Sequence, residues 1–258
     1  MITGGIDAGI ECMKAVVLSD GKIIGRAKGL SGGARIAESA ERVWEGALKD
    51  AGVSASDVAR IAATGKGKYD VKLADKVYTE MRAAVRAARF LVPSVTTVVD
   101  IGADETMAAT VKPDGTVGQT LLNQKCAAGL GTFLKSMSWL LELSLDDMSA
   151  LNPADFDANA TVNDGCVVFA EMDALSLLNR GITPKTVAAA VTKAVAVRAN
   201  TTFNDITVPM NDCVVLLGGM TRNAAFIAAW EELAGIGFVI PEDAEYGGAL
   251  GASLMAAG

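Results

Sequence analysis

The chain carries the same strand-and-turn pattern twice, and this duplication constrains its fold more than any other feature. In the first copy an apolar segment ends in Asp7-Ala8-Gly9, and an Asp20-Gly21 turn separates the two apolar segments that follow. In the second copy the corresponding positions are Asp100-Ile101-Gly102 and Asp114-Gly115. Asp-Gly between alternating apolar segments is a strong signal for a β-hairpin. The pattern therefore predicts a three-stranded antiparallel meander in each half of the chain.

Helices and single strands alternate after each meander, which is the pattern of an α/β protein. The first half continues with a helix at 35–51, a strand at 58–65 and a helix at 72–89. The second half continues with a helix after each of two cysteines, helices at 183–200 and 224–233, strands at 212–219 and 237–240, and a closing helix at 248–258. Because one arrangement is made twice, we expect two similar lobes that face each other across a cleft. The first lobe would span 1–94 and be completed by a C-terminal helix at 246–258, and the second would span 95–245.

The composition narrows the class of protein. The chain has 258 residues, of which 51% are hydrophobic and 21% charged, as in a globular protein. A net charge of -7 argues against nucleic-acid binding, which needs clustered Lys and Arg. No segment approaches the roughly 18 uncharged apolar residues of a membrane span, and the N-terminus lacks the features of a signal peptide. We therefore expect a cytoplasmic protein with neither nucleic acid nor membrane as a partner.

The chain has four cysteines and no histidine. The lack of histidine excludes a Ser-His-Asp triad, a His-assisted cysteine nucleophile and any His-ligated metal. Catalysis would then depend on carboxylates, lysines, backbone amides, or a bound metal or cluster. In a cytoplasmic protein the cysteines are expected to be free thiols or ligands rather than disulfides.

Cys126 and Cys166 each precede an apolar segment with helical spacing. An iron–sulfur cluster is usually held by four thiolates, and a symmetric dimer would bring two from each chain to its axis. The alternative is that both are small buried residues without a special role, as free cysteines often are. Cys12 and Cys213 fall in a loop and a strand, and we interpret both as structural, with Cys213 in the core.

The repeated Asp-x-Gly turns suit a nucleotide site. The glycine lets the backbone approach a phosphate, and the aspartate before it can hold a hydrated magnesium ion. A further pair, Gly218-Gly219, follows an apolar strand and precedes a helix, which suits close approach to adenosine. A single strand-Asp-x-Gly is more often only a turn, but the three signals together predict a nucleotide-binding cleft.

The order of these segments resembles the fold of acetate kinase, sugar kinases, Hsp70 and actin. The resemblance rests on the segments GIDAG, ATGKGK, VVDIGA, LLGGMTRN and YGGALGASL. Two further segments, NQKCAAGLGTFL and GCVVFAE, resemble the branch that contains 2-hydroxyacyl-CoA dehydratase activators and the ATP-binding subunits of benzoyl-CoA reductase. The resemblance extends from Gly5 to Ala256. It implies two duplicated RNase H-like, actin-like ATPase lobes with a nucleotide cleft between them.

The function that this resemblance implies is ATP-driven delivery of low-potential electrons to an acyl-CoA-processing partner. Its cofactors would be ATP or ADP, Mg²⁺, and a 4Fe–4S cluster shared between two subunits with Cys126 and Cys166 as ligands. The partners would be a second copy or a paralogous ATPase subunit, acyl-CoA reductase or dehydratase subunits, and an electron donor such as ferredoxin or flavodoxin.

The resemblance also assigns residues to the nucleotide site. The implied cofactor-binding residues are Asp7, Gly9 and Lys14 in the first phosphate loop, Thr64 and Gly65 in the interdomain connection, Asp100 and Gly102 in the second loop, and Gly218 and Gly219 at the adenosine. The candidate catalytic residues are Asp7, Asp100 and Glu171. Glu171 follows Cys166 by five residues and would report the nucleotide state to the cluster helix. A solvated or capping carboxylate is the alternative interpretation of Glu171.

Both phosphate loops depart from the family pattern. Ile10, Glu11 and Cys12 follow Gly9 where the fold usually has Ser or Thr, and the second loop reads 102–105 as Gly-Ala-Asp-Glu instead of the Gly-Gly-Gln-Asp of dehydratase activators. Added negative charge near a triphosphate costs energy unless magnesium or a lysine compensates for it. The departures slightly favour a benzoyl-CoA reductase subunit over a separate activator.

Two other functions fit the same fold. In a small-molecule kinase, Asp100 or Asp104 would act as the general base toward a substrate hydroxyl. In a structural subunit the cleft would be vestigial and ATP would not be hydrolysed.

Overall fold

The computed structural model describes residues 1–123, 129–152, 155–206 and 213–258. Within these ranges the chain forms two β-sheets with helices packed on them. The first sheet has the order β3-β2-β1-β4-β5 and contains β1 (Ile2–Ala8), β2 (Cys12–Ser19), β3 (Lys22–Leu30), β4 (Val58–Thr64) and β5 (Lys76–Val77). The second has the order β8-β7-β6-β9 and contains β6 (Thr97–Ile101), β7 (Thr106–Val111), β8 (Val117–Asn123) and β9 (Val214–Leu217).

Both predicted meanders are confirmed. The strands β1, β2 and β3 pair antiparallel, as do β6, β7 and β8. At the first turn Asp20 and Gly21 have φ angles of 47° and 77°, the left-handed pair that a tight hairpin requires. In each half a later strand then pairs parallel with the first strand of the meander, namely β4 with β1 and β9 with β6. The predicted strand at 237–240 contributes only an isolated bridge between Val239 and Val215.

The described helices are α1 (Ile36–Ala51), α2 (Glu80–Leu91), α3 (Leu130–Leu140), α4 (Leu145–Ser149), α5 (Val167–Asn179), α6 (Pro184–Asn204), α7 (Ala224–Ala234) and α8 (Gly247–Ala257). Three of them, α4, α6 and α7, are capped by the side chain of the residue before the helix. The Thr183 hydroxyl accepts the Thr186 N–H before α6, and the Asn223 side chain accepts the Phe226 N–H at α7. Cys166 is the N-cap residue of α5, as the sequence predicted.

The predicted helix at 72–89 is wrong in its first part. The backbone N–H of Asp75 donates to Ile61 O, the Asp75 carboxylate accepts the Ile61 N–H, and the N–H of Tyr78 donates to Ala63 O. These bonds hold the segment against β4 as an edge strand. The helix therefore starts only at Glu80.

The C-terminal helix α8 returns to the first sheet. The Ser253 hydroxyl donates to Thr3 O in β1, and a Cβ on Gly5 would lie only 1.9 Å from Ala249 O. Two small residues, Gly5 and Ser253, thus let helix and strand pack backbone to backbone. The lobe boundary at 94/95 remains a prediction.

Apolar residues fill the space between the layers. In the second half, Phe133 of α3 and Trp230 of α7 are fully buried in one apolar cluster. Burial of a large apolar side chain contributes roughly 1.5–3 kcal/mol to the stability of the fold. Val16, Val98 and Leu250 belong to a core that both sheets share. None of the helices in the described ranges has both the length and the apolar character needed to cross a bilayer.

Candidate functional site

A cavity of about 500 Å³ lies where β1 and β6 end. It is lined by residues from both sheets and from the turns that follow β4 and β9. All the predicted cofactor-binding residues line it, together with the two candidate catalytic aspartates: Asp7, Gly9, Lys14, Thr64, Gly65, Asp100, Gly102, Gly218 and Gly219. The fold therefore brings together residues that are up to 212 positions apart in the chain.

The floor of the cavity repeats one arrangement. Asp7 in β1 lies in register between Lys14 of β2 and Thr64 of β4. Asp100 takes the same position in β6, with Met107 where the first half has Lys14. Lys14 is therefore a cation that the second half does not duplicate, and it is about nine-tenths buried.

Two glycines pack directly on these aspartates. Gly65 and Gly218 have φ angles of 88° and 94°, which favour glycine. A Cβ on Gly65 would lie 2.6 Å from Asp7 Oδ1, and one on Gly218 would lie 2.4 Å from Asp100 Oδ1. By contrast, a Cβ on Gly219 would meet nothing within 4 Å, so the backbone there faces open space.

Burial raises the pKa of both aspartates, although each side chain reaches the surface of the cavity. For Asp7 the positive charge of Lys14 opposes this shift and Glu80 adds to it. For Asp100 burial is followed by repulsion from Asp7, and the pKa rises to about 6. A divalent cation would stabilise the ionised form of two neighbouring carboxylates with raised pKa values, and the charge of Lys14 acts on both of them in the same sense.

Two ion pairs cross the cleft, and each contains one of the carboxylates that depart from the family pattern. Glu11 pairs with Lys135 of α3 at 2.5 Å, and Glu105 pairs with Lys66 at 2.5 Å. Although partial burial opposes it, Glu105 and other carboxylates hold the pKa of Lys66 above its usual value. The charge that Glu11 adds to the first loop is thus compensated by Lys135 of the opposite half. The charge added to the second loop is that of Asp104, which interacts electrostatically with Lys66. Partly exposed pairs of this kind contribute only about 0.2–1 kcal/mol each to stability.

The second phosphate loop is packed against the start of α3. Thr132 donates to Ala103 O from both its N–H and its hydroxyl, at 2.9 and 3.0 Å. A Cβ on Gly129 would lie 2.1 Å from Asp104 Cα, so the two backbones are in direct contact. Movement of this loop must therefore move the beginning of α3.

Sequence reasoning missed several residues of the site. Lys66, Lys135 and Glu80 line the cavity, and the Ser31 hydroxyl donates to Gly9 O and closes the first loop. Lys66 stands within the quoted segment ATGKGK, which could have drawn attention to it. For the others no signal exists in the sequence, because their partners come from distant segments.

The predicted cysteine centre is described only in part. Cys126 lies outside the described residues. Cys166 has a free, partly buried thiol, and its N–H donates to Asn163 Oδ1 at 2.6 Å. Glu171 lies on α5 away from the cavity lining, so its role in reporting the nucleotide state remains a prediction. Within the described ranges no group of three or more Cys, Asp and Glu side chains is placed to hold a metal ion.

The other two cysteines differ from their predicted places, and Cys12 lines the cavity. Cys12, which we expected in a loop, is the exposed first residue of β2. Cys213, which we expected within a strand, comes one residue before β9 and is only partly buried.

Comparison with known proteins identifies the family. A family model described as the BadF/BadG/BcrA/BcrD ATPase family matches residues 5–256. The chain belongs to this ATPase family. It is 33% identical over 257 residues to the activator of lactoyl-CoA dehydratase from Anaerotignum propionicum, a match that covers 99% of this chain and 97% of the relative. It is 30% identical over 225 residues to a subunit of benzoyl-CoA reductase from Thauera aromatica, covering 84% and 78%.

A solved structure of the same family has the same fold. The activator of the 2-hydroxyisocaproyl-CoA dehydratase from Clostridium difficile with bound ADPNP superposes with a TM-score of 0.89 at 29% identity, covering 99% of this chain and 94% of that one. The predicted fold class, two actin-like ATPase lobes, is confirmed. Membership in the BadF/BadG/BcrA/BcrD family implies that the ligand is ATP or ADP.

Proposed function

We propose that the chain is an ATP-dependent activating subunit that delivers low-potential electrons to an acyl-CoA-processing partner, of the dehydratase activator or benzoyl-CoA reductase type. The observation that supports this most is the doubled Asp–Gly floor of the cavity, in a chain related over nearly its whole length to a dehydratase activator. Lys135 and Lys66 weaken the main argument against ATP hydrolysis, because Lys135 pairs with the added carboxylate of Glu11 and the charge of Lys66 acts on that of Asp104.

In this proposal the nucleotide lies between the halves. Asp7 and Asp100 would hold the hydration shell of Mg²⁺, and Lys14 supplies a buried positive charge that acts on both. The loops at Gly9 and Gly102 offer backbone N–H groups to the phosphates, in charge-assisted hydrogen bonds. The open backbone at Gly219 receives the adenosine.

Cys166 and Cys126 are the proposed ligands of a 4Fe–4S cluster shared with a second subunit. The cluster would supply a one-electron carrier when bound. Cys166 fits this role because it precedes the N–H groups of the first turn of α5, which stabilise a thiolate. Sharing between subunits requires that a single chain provide only part of the ligand set.

The exposed face of α5 supports a second copy, or a paralogous subunit, as the neighbour. Val168, Phe169, Met172 and Leu175 form one apolar stripe on this helix, each about half exposed or more. Apolar patches of this kind are usually covered by a partner. The stripe begins two residues after Cys166, so a subunit that covers it would also approach the proposed cluster.

The residues that contact the loop at Ala103 follow Cys126 closely in the chain. Gly129 and Thr132, which contact the loop at Ala103, follow Cys126 by three and six residues. A nucleotide that binds the two arrangements of the halves with different affinity can therefore bias the position of this segment. This contact is the proposed route from ATP to the cysteine centre.

The test is to purify the assembled protein without oxygen and to measure iron, sulfide and EPR spectra in the apo, ADP and ATP states. We expect iron and sulfide in the protein, different spectra with ADP and ATP, and faster ATP hydrolysis in the presence of the partner enzyme. A non-hydrolysable analogue should stop electron delivery. Absence of iron, or identical spectra in all three states, would contradict the proposed function.

The raised pKa of Asp100 favours one alternative, a small-molecule kinase in which this carboxylate is the general base. A base that titrates near pH 6 is well matched to proton abstraction at neutral pH. This alternative assigns no role to the cysteines. ATP-dependent phosphorylation of a hydroxyl compound by iron-free protein would support it.

We expect the affinity for Mg-nucleotide to rise about tenfold per pH unit up to about pH 6 and to level off by about pH 7, because Mg²⁺ requires Asp100 to be ionised. Protonation of the nucleotide itself contributes in any variant, so the control is Asp100→Asn, which should lose the part of the pH dependence that is due to Asp100.

The stability of the apo protein should depend on pH in the opposite direction. Since the folded pKa is above the ordinary value of 3.8, stability falls as the pH rises from about 4 to about 6. Calorimetry and thermal unfolding at four pH values would measure both, and equal pH slopes in the two proteins would contradict the assignment.

A further inference from the structure

Arg198 on α6 is a buried cation with unused hydrogen-bond donors. Only 8% of its surface is exposed. Its Nε donates to the backbone carbonyl of Asp164, two residues before Cys166, and its guanidinium lies 5.0 Å from the ring centroid of Phe133 in α3. Neither of its two Nη atoms has a hydrogen-bond partner among the residues that the structure describes.

Burying a charged guanidinium with unpaired donors costs free energy unless an anion pairs with it. A guanidinium stays charged at every physiological pH and carries five donors, and a buried charge without a partner is strongly destabilising. No described carboxylate forms an ion pair with Arg198, and stacking on Phe133 satisfies none of the N–H groups. Beside the Asp164 carbonyl the chain therefore holds a buried cation that no described carboxylate neutralises.

The same face of α6 contacts the segments before both proposed cluster ligands. Thr202, one turn after Arg198, accepts a hydrogen bond from Asn123 Nδ2 at 2.7 Å. Asn123 is the last described residue before Cys126. The helix thus holds the approaches to the two cysteines at positions one turn apart.

We propose that Arg198 is a positioning residue of the cysteine centre, which holds the turn before Cys166 and places a buried positive charge beside that turn. This inference rests on the proposed function. Positive charge and N–H donors near the sulfurs of an iron–sulfur cluster stabilise its reduced, more negative state and raise its reduction potential. Arg198 thereby tunes the electron carrier from outside the ligand set.

The experiment compares Arg198→Met and Arg198→Lys with Lys193→Met, a control that removes one exposed charge from the same helix. In Arg198→Met the ratio of reduced to oxidised cluster at a fixed potential should fall at least tenfold, which is about 59 mV for a one-electron couple. Amide hydrogen exchange at 163–166, measured on iron-free protein, should accelerate at least tenfold. Arg198→Lys keeps the charge but loses the planar fork, so its exchange should accelerate while its potential moves less. Lys193→Met should change neither quantity.

A potential and an exchange rate within twofold of wild type in Arg198→Met, with ADP affinity retained, would overturn the proposal. A lower melting temperature with unchanged potential and exchange would also overturn it, because it would leave Arg198 as packing only. If Arg198→Met does not fold, wild-type exchange in Arg198→Lys has the same meaning. If the wild-type protein holds no iron, the proposed function fails, and amide exchange alone decides the role of Arg198.

Discussion

Cys166→Ser, purified without oxygen, is expected to lose at least half of the iron and sulfide of the wild-type dimer and to dissociate more readily into single chains. The reason is that a serine hydroxyl is not ionised at neutral pH and is a poor ligand for the iron of such clusters, which thiolates hold. The loss should affect the cluster and not the nucleotide site, because Cys166 does not line the nucleotide cavity. Iron and sulfide analysis, size-exclusion chromatography and ADP calorimetry on the same sample would measure the three effects.

The matched control for this variant is Cys213→Ser. Cys213 is also a free, partly buried thiol, but its neighbour is the Ser94 hydroxyl, which donates to Sγ at 3.7 Å. We expect this variant to keep its iron and its dimer. Equal iron content in the Cys166→Ser, Cys213→Ser and wild-type proteins would reject Cys166 as a ligand.

The parts of the fold that the sequence predicted well are those specified by local chemistry. The two-residue turn at Asp20-Gly21 uses two left-handed residues, whereas in the longer turn that contains Asp114-Gly115 only the glycine has a positive φ. Once two meanders are recognised, the end of each first strand brings Asp7 and Asp100 to the same cleft. The helical spacing of the apolar residues after Cys166 also predicted that a helix, α5, begins there.

What the sequence did not reveal depends on contacts between distant segments. Residues 72–79 have helical spacing but pair with β4, because Asp75 bonds to the backbone of Ile61. The extra carboxylates Glu11 and Asp104 looked unfavourable, but Lys135 pairs with Glu11 and the charge of Lys66 acts on Asp104. Charge balance in a cleft is a property of two surfaces, and a single loop sequence shows only one of them.

Gly218→Ala is expected to weaken Mg-nucleotide binding at least about 100-fold, because it acts on a backbone that touches the site. A methyl group at this position would lie 2.4 Å from both Asp100 Oδ1 and Ile101 O. The carbonyl belongs to β6 and has little freedom to move, so the aspartate side chain must rotate away from the cavity or the turn must shift. Either change removes a proposed Mg²⁺ contact and displaces the open backbone of Gly219.

The matched control is Gly181→Ala, which separates this clash from simple backbone strain. Gly181 has a similar φ of 82°, but a Cβ there would meet nothing within 4 Å. Gly218 has a ψ of 173°, in a region that essentially only glycine adopts, so Gly218→Ala should lose more unfolding free energy than Gly181→Ala. Only Gly218→Ala should lose affinity for ADP. Gly65→Ala is the counterpart in the first half, since its methyl group would lie 2.6 Å from Asp7 Oδ1 and from Ala8 O. If calorimetry gave Gly218→Ala and Gly181→Ala the same affinity within threefold, the doubled Asp–Gly floor would not be the nucleotide site, because a clash at its centre would then have no effect on the ligand.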